Sequence, residues 1–155
     1  MRTMLMLNPM GWSSDISLMG MKAWSDLRND LVYLGADVIS PKWKTTRSPD
    51  FSSEAVIVDN VAVVHESNTE MINFLSSHRV KVYPCEFNFS AADVIVSADK
   101  TSMWAAISKR TSIEAIIFLE KVFSSTDVRR LQLYNNKLEV QPESFALNQC
   151  MYILP

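Results

Sequence analysis

The chain contains one stretch of sequence twice. FSSEAVIV at Phe51–Val58 and FSAADVIV at Phe89–Val96 share Phe, Ser, Val, Ile and Val at the same places. Each copy passes from Phe-Ser through small or acidic residues into an apolar, β-branched run, which is typical of a strand. Repetition at this spacing indicates a structural unit that is copied along the chain.

The same order of elements follows each copy. A second apolar strand is predicted at Val61–Val64 after the first copy and at Met103–Ile107 after the second. A helical pattern and a third strand come next, with the third strands at Arg79–Tyr83, before Pro84, and at Val128–Leu133. The sequence therefore predicts an α/β fold with β-β-α-β modules at about residues 51–84 and 89–133.

The two module helices have residues suited to capping at their starts. Asn68 precedes the first helix, and either Thr111 or Ser112 precedes the second. Their short polar side chains can accept hydrogen bonds from the free amides of a first helical turn. Glu114 would complete a capping box if Thr111 is the cap. The apolar positions of the second helix predict its core side: Ile113, Ile116, Ile117, Leu119, Val122 and Phe123.

A strand, a helix and a strand are predicted before the first module. The apolar run Thr3–Leu7 stops at Asn8-Pro9, a helical pattern covers Leu18–Leu34, and Ala36–Ile39 is a short strand. Gly35 lies where a helix C-terminal cap is expected. One side of this helix is predicted to face the core: Leu18, Met21, Trp24, Leu27, Leu31 and Leu34.

The two ends of the chain together could supply a third module. Strands are predicted at Leu138–Val140 and Gln149–Leu154, so residues 134–155 and residues 1–41 would complete one β-β-α-β unit. A ring of about three modules, closed across the termini, would leave no exposed sheet edge. We therefore expect one domain, residues 1–155, with the Thr3–Leu7 strand in the same sheet as Gln149–Leu154.

Composition limits the classes of function. The net charge of −2 gives no basic field for nucleic acid or anionic membranes, and three glycines are too few for a phosphate-binding loop. The two cysteines lack metal-ligand spacing, so neither a metal nor a cofactor is expected. Neither a signal peptide nor an apolar run long enough to span a membrane is found in the sequence, and a cytoplasmic protein with free thiols is expected.

Several stretches together resemble one known superfamily. FSAADVIV is similar to a FEGGDV-type motif, and Lys109–Phe123 to the Arg-Thr-Ser helix that follows that motif. Ser48–Val58 resembles a substrate-binding segment, and NQCMYILP at Asn148–Pro155 a terminal strand with a nucleophilic cysteine. Met4–Trp12 and Trp24–Pro41 look like the first strand, helix and second strand. These motifs are those of the guanidino-group-modifying enzymes: amidinotransferases, arginine deiminases and dimethylarginine dimethylaminohydrolases.

The resemblance implies a pentein α/β-propeller, shortened from five modules to about three, and it implies site residues. Cys150 falls on the nucleophile, and Asp50 and Asp93 fall on aspartates of the family's substrate-binding motifs. Ser90 replaces the glutamate that grips the substrate's guanidinium. The family's catalytic histidine motif has no counterpart, which leaves His65 as a candidate base at a strand end and His78 after a helix.

Two functions follow from the resemblance. The first is a degenerate, non-catalytic protein that binds a guanidino small molecule or a protein partner, with a homo-oligomer as one form of assembly. The alternative is an active cysteine-dependent hydrolase or amidinotransferase with Cys150 as nucleophile and His65 as base. Without the resemblance, Cys150 is expected to be a core thiol and both histidines surface residues.

Overall fold

The computed structural model describes residues 3–5, 14–40 and 54–132, together with Leu147 and Met151. The chain forms two compact units, Met1–Phe51 and Ser52–Pro155. None of the helices in the described ranges is long and apolar enough to cross a membrane. The prediction of a single domain is not tested by these observations.

The first unit contains the predicted strand, helix and strand. They are β1 (Thr3–Leu5), α1 (Ser14–Tyr33) and β2 (Asp37–Ile39). The two strands are parallel, with Thr3 opposite Asp37. Gly35 has φ +86°, and the amide of Ala36 donates to the carbonyl of Leu31 at 2.9 Å. This geometry ends α1 as the sequence predicts, because only glycine adopts positive φ without steric cost.

The buried side of α1 matches the predicted side in part, and Met21 is partly buried as predicted. Trp24, Arg28 and Leu31 are partly buried, whereas Leu27 is 52% exposed and Leu34 is 78% exposed. Leu27 lies one residue before Arg28, which rotates its side chain by about 100° around the helix. The spacing of apolar residues predicted the helix and the partly buried positions Met21, Trp24 and Leu31 correctly, and it wrongly included Leu27 and Leu34.

The second unit contains two three-stranded mixed sheets, each with one helix. The first module consists of β3 (Ala55–Val58), β4 (Val61–His65), α2 (Thr69–Ser77) and β5 (Lys81–Cys85). The second consists of β6 (Val94–Val96), β7 (Ser102–Ile107), α3 (Ile113–Val122) and β8 (Asp127–Gln132). In both sheets the first two strands are antiparallel, and the helix then leads to a third strand parallel to the second.

The two sequence repeats therefore form equivalent modules. Val56 lies opposite Val63 in the first sheet, and Val94 lies opposite Ala105 in the second. Pro84 was predicted to end the third strand of the first module, but β5 continues to Cys85. Among the described strands β5 is at the edge of its sheet, where the missing N–H of proline is tolerated.

Asn68 and Ser112 are the two helix caps. The side chain of Asn68 accepts a hydrogen bond from the Met71 amide at 3.2 Å, and that of Ser112 accepts one from the Ala115 amide at 3.3 Å. Of the two candidates at the second helix, Ser112 is therefore the cap. The capping box of Thr111 with Glu114 is not formed, because Ser112 occupies the cap position and the Thr111 hydroxyl accepts from the Ser90 amide.

One apolar core includes residues of both modules. Val63 and Cys85 of the first module lie in the same cluster as Met103, Ile116 and Leu119 of the second, and all five are fully buried. Ile117, predicted to face the core, is 36% exposed, because it follows Ile116 by one residue and points to another side of α3. The β-branched strands and α3 are thus stabilised by burial that neither module provides alone.

Most of the C-terminal residues that were predicted to close the ring of modules lie outside the described residues. Residues 134–146, 148–150 and 152–155 are in this group, so the third module and the pairing of Thr3–Leu7 with Gln149–Leu154 stay predictions. At Met151 the amide donates to the carbonyl of Leu147 at 3.0 Å, as in a helical turn. The predicted C-terminal strand is not formed at this residue.

Candidate functional site

Asp93 is a fully buried carboxylate at the start of the second module. It ends a short 3-10 helix, Ala91–Asp93, immediately before β6, and its exposed fraction is 0%. One carboxylate oxygen, Oδ2, accepts hydrogen bonds from the Ser108 hydroxyl at 2.7 Å and the Thr111 hydroxyl at 2.9 Å. These two contacts join the beginning of β6 to the loop between β7 and α3.

The other oxygen of Asp93 binds a cation and a distant backbone amide. Oδ1 accepts from Arg110 Nη2 at 3.1 Å and from the amide of Leu147 at 3.3 Å. The Arg110 side chain is 29% exposed, so the ion pair lies at the edge of the interior. A carboxylate has about four acceptor sites, and the four donors from Ser108, Arg110, Thr111 and Leu147 match that capacity.

The loop after β7 is folded to present these donors. The Ser108 hydroxyl oxygen accepts from the amides of Arg110 at 2.9 Å and Thr111 at 3.2 Å while its proton is donated to Asp93. The Ser108 amide also donates to the carbonyl of Thr111 at 3.0 Å. Ser108 thus orders the turn that brings Arg110 and Thr111 to the carboxylate.

Ser90 lies beside this cluster and is connected to it through its backbone. Its amide donates to the Thr111 hydroxyl oxygen at 3.1 Å. The Ser90 side chain makes no capping hydrogen bond to the short helix that follows. Ser90 is therefore connected to the Asp93 cluster through Thr111, and its own side chain is neutral.

The two histidines take part in local contacts. His65 ends β4, and its Nδ1 lies 2.8 Å from the Ser67 hydroxyl and accepts from the Ser67 amide at 3.2 Å. His78, the C-terminal cap of α2, is exposed and hydrogen-bonded through Nδ1 to the carbonyl of Phe74 at 2.9 Å. Neither histidine is among the donors that contact Asp93.

The first module has a simpler carboxylate contact near the start of its first strand, although the repeat aligns Asp93 with Ala55 and Glu54 with Ala92. Glu54 precedes β3 as Asp93 precedes β6, and its Oε2 accepts a hydrogen bond from the side-chain amide of Asn68, the cap of α2. In both modules a carboxylate before the first strand is therefore connected to the start of the module helix. The Glu54 carboxylate lies in a part-buried contact, whereas Asp93 is fully buried.

Cys85 is a buried thiol in the shared core. Its burial raises the pKa of the thiol above the ordinary value, and its sulfur contacts the carbonyl of Phe87 at 3.8 Å. A thiol with a raised pKa is a poor nucleophile near neutral pH, because the thiolate is the reactive form. In the described part of the chain, no group of three or more His, Cys, Asp and Glu is placed to hold a metal ion.

Of the residues predicted for the site, the structure brings Asp93 and Ser90 together. His65 lies in the other module, and Asp50 and Cys150 are outside the described residues, so their roles stay predictions. Sequence reasoning missed Ser108, Arg110 and Leu147. A signal for the first two was present, because a polar run follows directly after the apolar strand β7, but only helix capping was inferred from it.

Solved structures of other proteins have a fold similar to that of this chain. No protein-family model matches the sequence, and no curated protein matches it. ArgZ, an arginine dihydrolase from the ornithine-ammonia cycle in cyanobacteria, matches with a TM-score of 0.64 and 14% identity over 89% of this chain and 23% of ArgZ. AgrE, in a ternary complex with ornithine and NAD+, matches with a TM-score of 0.67 and 16% identity over 89% of this chain and 24% of AgrE.

A third similar structure is a dimethylarginine dimethylaminohydrolase, with a TM-score of 0.60 and 13% identity over 84% of this chain and 60% of that enzyme. The chain spans about a quarter of full-length ArgZ and 59% of its N-terminal domain. At these identities the likeness concerns the fold. The resemblance indicated by the sequence motifs is thus confirmed at this level: the chain has the α/β fold of the guanidino-group-modifying pentein enzymes.

Proposed function

We propose that this chain is a degenerate relative of the amidinotransferases and deiminases that binds a partner and does not catalyse a reaction. The observation that carries this proposal is that the Asp93 carboxylate already accepts four hydrogen bonds from the protein itself. The resemblance gives Asp93 a place in a substrate-binding motif, yet its two oxygens are occupied by four donors of the protein. A guanidinium could reach this carboxylate only by displacing them.

Displacement would be costly because one of the four donors is itself a guanidinium. Arg110 already makes with Asp93 the charged contact that a guanidino substrate would make. A hydrogen bond to a charged group contributes about 1.5 to 3 kcal/mol, and a buried donor left without its acceptor loses about 1 to 3 kcal/mol. Substrate binding would therefore replace one favourable ion pair by another with little net gain.

Two further features support loss of catalysis. Ser90 supplies no negative charge where the related enzymes have a glutamate. His65 accepts a hydrogen bond from the Ser67 amide through Nδ1, and it lies in the first module instead of beside Asp93. A nucleophilic cysteine needs help to lose its proton, and the leaving amine needs an acid; such help is worth about a hundred- to ten-thousand-fold in rate.

A protein partner is favoured over a small guanidino ligand. Alpha-helix α1 exposes large apolar side chains near its C-terminal end, with Tyr33 90% exposed and Leu34 78% exposed. Exposed apolar groups of this kind are typical of surfaces that contact other proteins. A guanidino ligand would need a carboxylate with spare acceptor capacity, which Asp93 lacks.

The test is a direct assay of turnover and binding with purified protein. Arginine, agmatine and methylated arginines are incubated with the protein, and citrulline, urea, ammonia and released amines are measured. We expect no product above the level given by Cys150→Ala. Calorimetric titration with the same compounds should show no binding that Asp50→Asn or Asp93→Asn weakens. Binding that either variant weakens would instead favour a guanidino-binding protein.

The alternative is an active cysteine-dependent enzyme, and one observation favours it. A cysteine-to-serine mutant of the N-terminal domain of ArgZ was obtained bound to its substrate, so a cysteine matters in a protein of this fold. Cys150 would then be the nucleophile and His65 the base. Product formation that is abolished by Cys150→Ala and by His65→Gln would establish this function and contradict the proposal.

A further inference from the structure

The contact between Asp93 and Leu147 joins two distant parts of the chain. The Leu147 amide donates to Asp93 Oδ1 at 3.3 Å across 54 residues of sequence. Leu147 is only 2% exposed, so its side chain is buried as well. A buried amide that donates to a buried carboxylate is held firmly, because water cannot replace either partner.

This anchor lies close in sequence to Cys150. Cys150 follows Leu147 by three residues, and the next residue, Met151, donates its amide to the Leu147 carbonyl at 3.0 Å. Consecutive Cα atoms are 3.8 Å apart, so three residues of chain can reach at most about 11 Å. Whatever holds Leu147 therefore also limits where Cys150 can go.

We propose that Asp93 is a positioning residue that anchors Leu147 to the second module, and that it does not act as a ligand of a guanidino compound. Ser108, Arg110 and Thr111 orient the carboxylate so that Oδ1 faces the Leu147 amide. Glu54, the carboxylate just before β3, contacts Asn68 within its own module. This role is independent of whether the chain turns over a substrate.

The two cysteines provide reporters that separate local release from unfolding. Cys85 lies in the core shared by both modules, so it becomes reactive only when that core opens. Loss of the anchor should instead release the segment around Cys150 while the core stays closed. Native protein is treated with N-ethylmaleimide for increasing times, and the labelled fraction of each cysteine is measured by mass spectrometry of its peptide.

In Asp93→Asn we expect Cys150 to react at least about tenfold faster than in the unaltered protein, with the Cys85 rate unchanged, because a charged hydrogen bond of about 1.5 to 3 kcal/mol is lost. The matched control Glu54→Gln should leave both rates unchanged. A Cys150 rate within about twofold of the unaltered protein, or an equal acceleration of both cysteines, would overturn the proposal.

A second measurement starts from the unaltered protein, so its main result does not depend on whether a variant folds. Hydrogen exchange of the Leu147 amide in the unaltered protein should be as slow as that of the β7 amides, because its acceptor is buried. In Thr111→Val the carboxylate and its contact with Leu147 remain, so this protection should change by less than in Asp93→Asn. Exchange of the Leu147 amide at the rate of an unstructured peptide would show that Asp93 anchors nothing.

Discussion

The two modules of the second unit have the same framework and different polar contacts. Their strand order, strand directions and helix positions coincide. In the first module the carboxylate of Glu54 has a part-buried contact with Asn68, whereas in the second Asp93 is fully buried and binds four donors. The comparison indicates that the apolar repeat determines the arrangement of strands and helix. The carboxylate just before the first strand determines which polar groups each module binds.

The largest difference is expected when each carboxylate is removed. Asp93→Ala removes the acceptor that Arg110 shares with three other donors, and breaking such a buried ion pair costs about 3 to 5 kcal/mol of unfolding free energy. Glu54→Ala removes a part-buried contact and should cost about 1 kcal/mol. Urea denaturation of the two variants checks the difference. Equal costs would mean that burial of Asp93 does not distinguish the modules.

A smaller difference is expected at the helix caps. Asn68→Ala loses the cap of α2 and the contact with Glu54, so it should cost about 2 kcal/mol, at the upper end for a cap. Ser112→Ala loses only the cap of α3 and should cost about 1 kcal/mol. Thermal unfolding with the Asn68→Ala, Glu54→Ala double variant tests the coupling. If the two single effects simply add, the Glu54–Asn68 contact contributes nothing.

The smallest effect is expected at the end of α2, and it is stabilising. Arg79 has φ +62° and its amide donates to the carbonyl of Ser76, so a non-glycine residue occupies the left-handed position after the helix. Arg79→Gly should raise the unfolding free energy by about 0.5 to 1 kcal/mol, since glycine has no Cβ to strain there. His78→Gly, one residue earlier in the exposed end of α2, where φ is −97°, is the control and should destabilise. Stabilisation by both substitutions would rule out relief of backbone strain as the cause.

Much of the fold follows from patterns that act over short distances. The repeat predicted both modules, Asn68 predicted the cap of α2, and Gly35 predicted the end of α1, because each depends on neighbouring residues and on one preferred backbone geometry. The buried sides of helices were predicted less well. Leu27 and Ile117 have the right spacing for a core side and are exposed, since spacing does not say where a neighbouring element packs.

The candidate site could be predicted only in part. The resemblance to the FEGGDV-type motif singled out Asp93 and Ser90, but it did not predict that Asp93 is fully buried. The identity of its partners was out of reach, because a carboxylate that binds a substrate and one that binds the protein's own donors look alike in sequence. Leu147 in particular meets Asp93 across 54 residues, a contact that depends on the completed fold.

The core that both modules share has a consequence for how the repeat can be divided. Val63 and Cys85 are covered by a cluster that includes Ile116 and Leu119 of α3. A fragment that ends between the repeats would expose these side chains to water, so neither copy is an autonomous folding unit. The unit of duplication in the sequence is therefore smaller than the unit of cooperative folding, and the two copies should melt in a single transition.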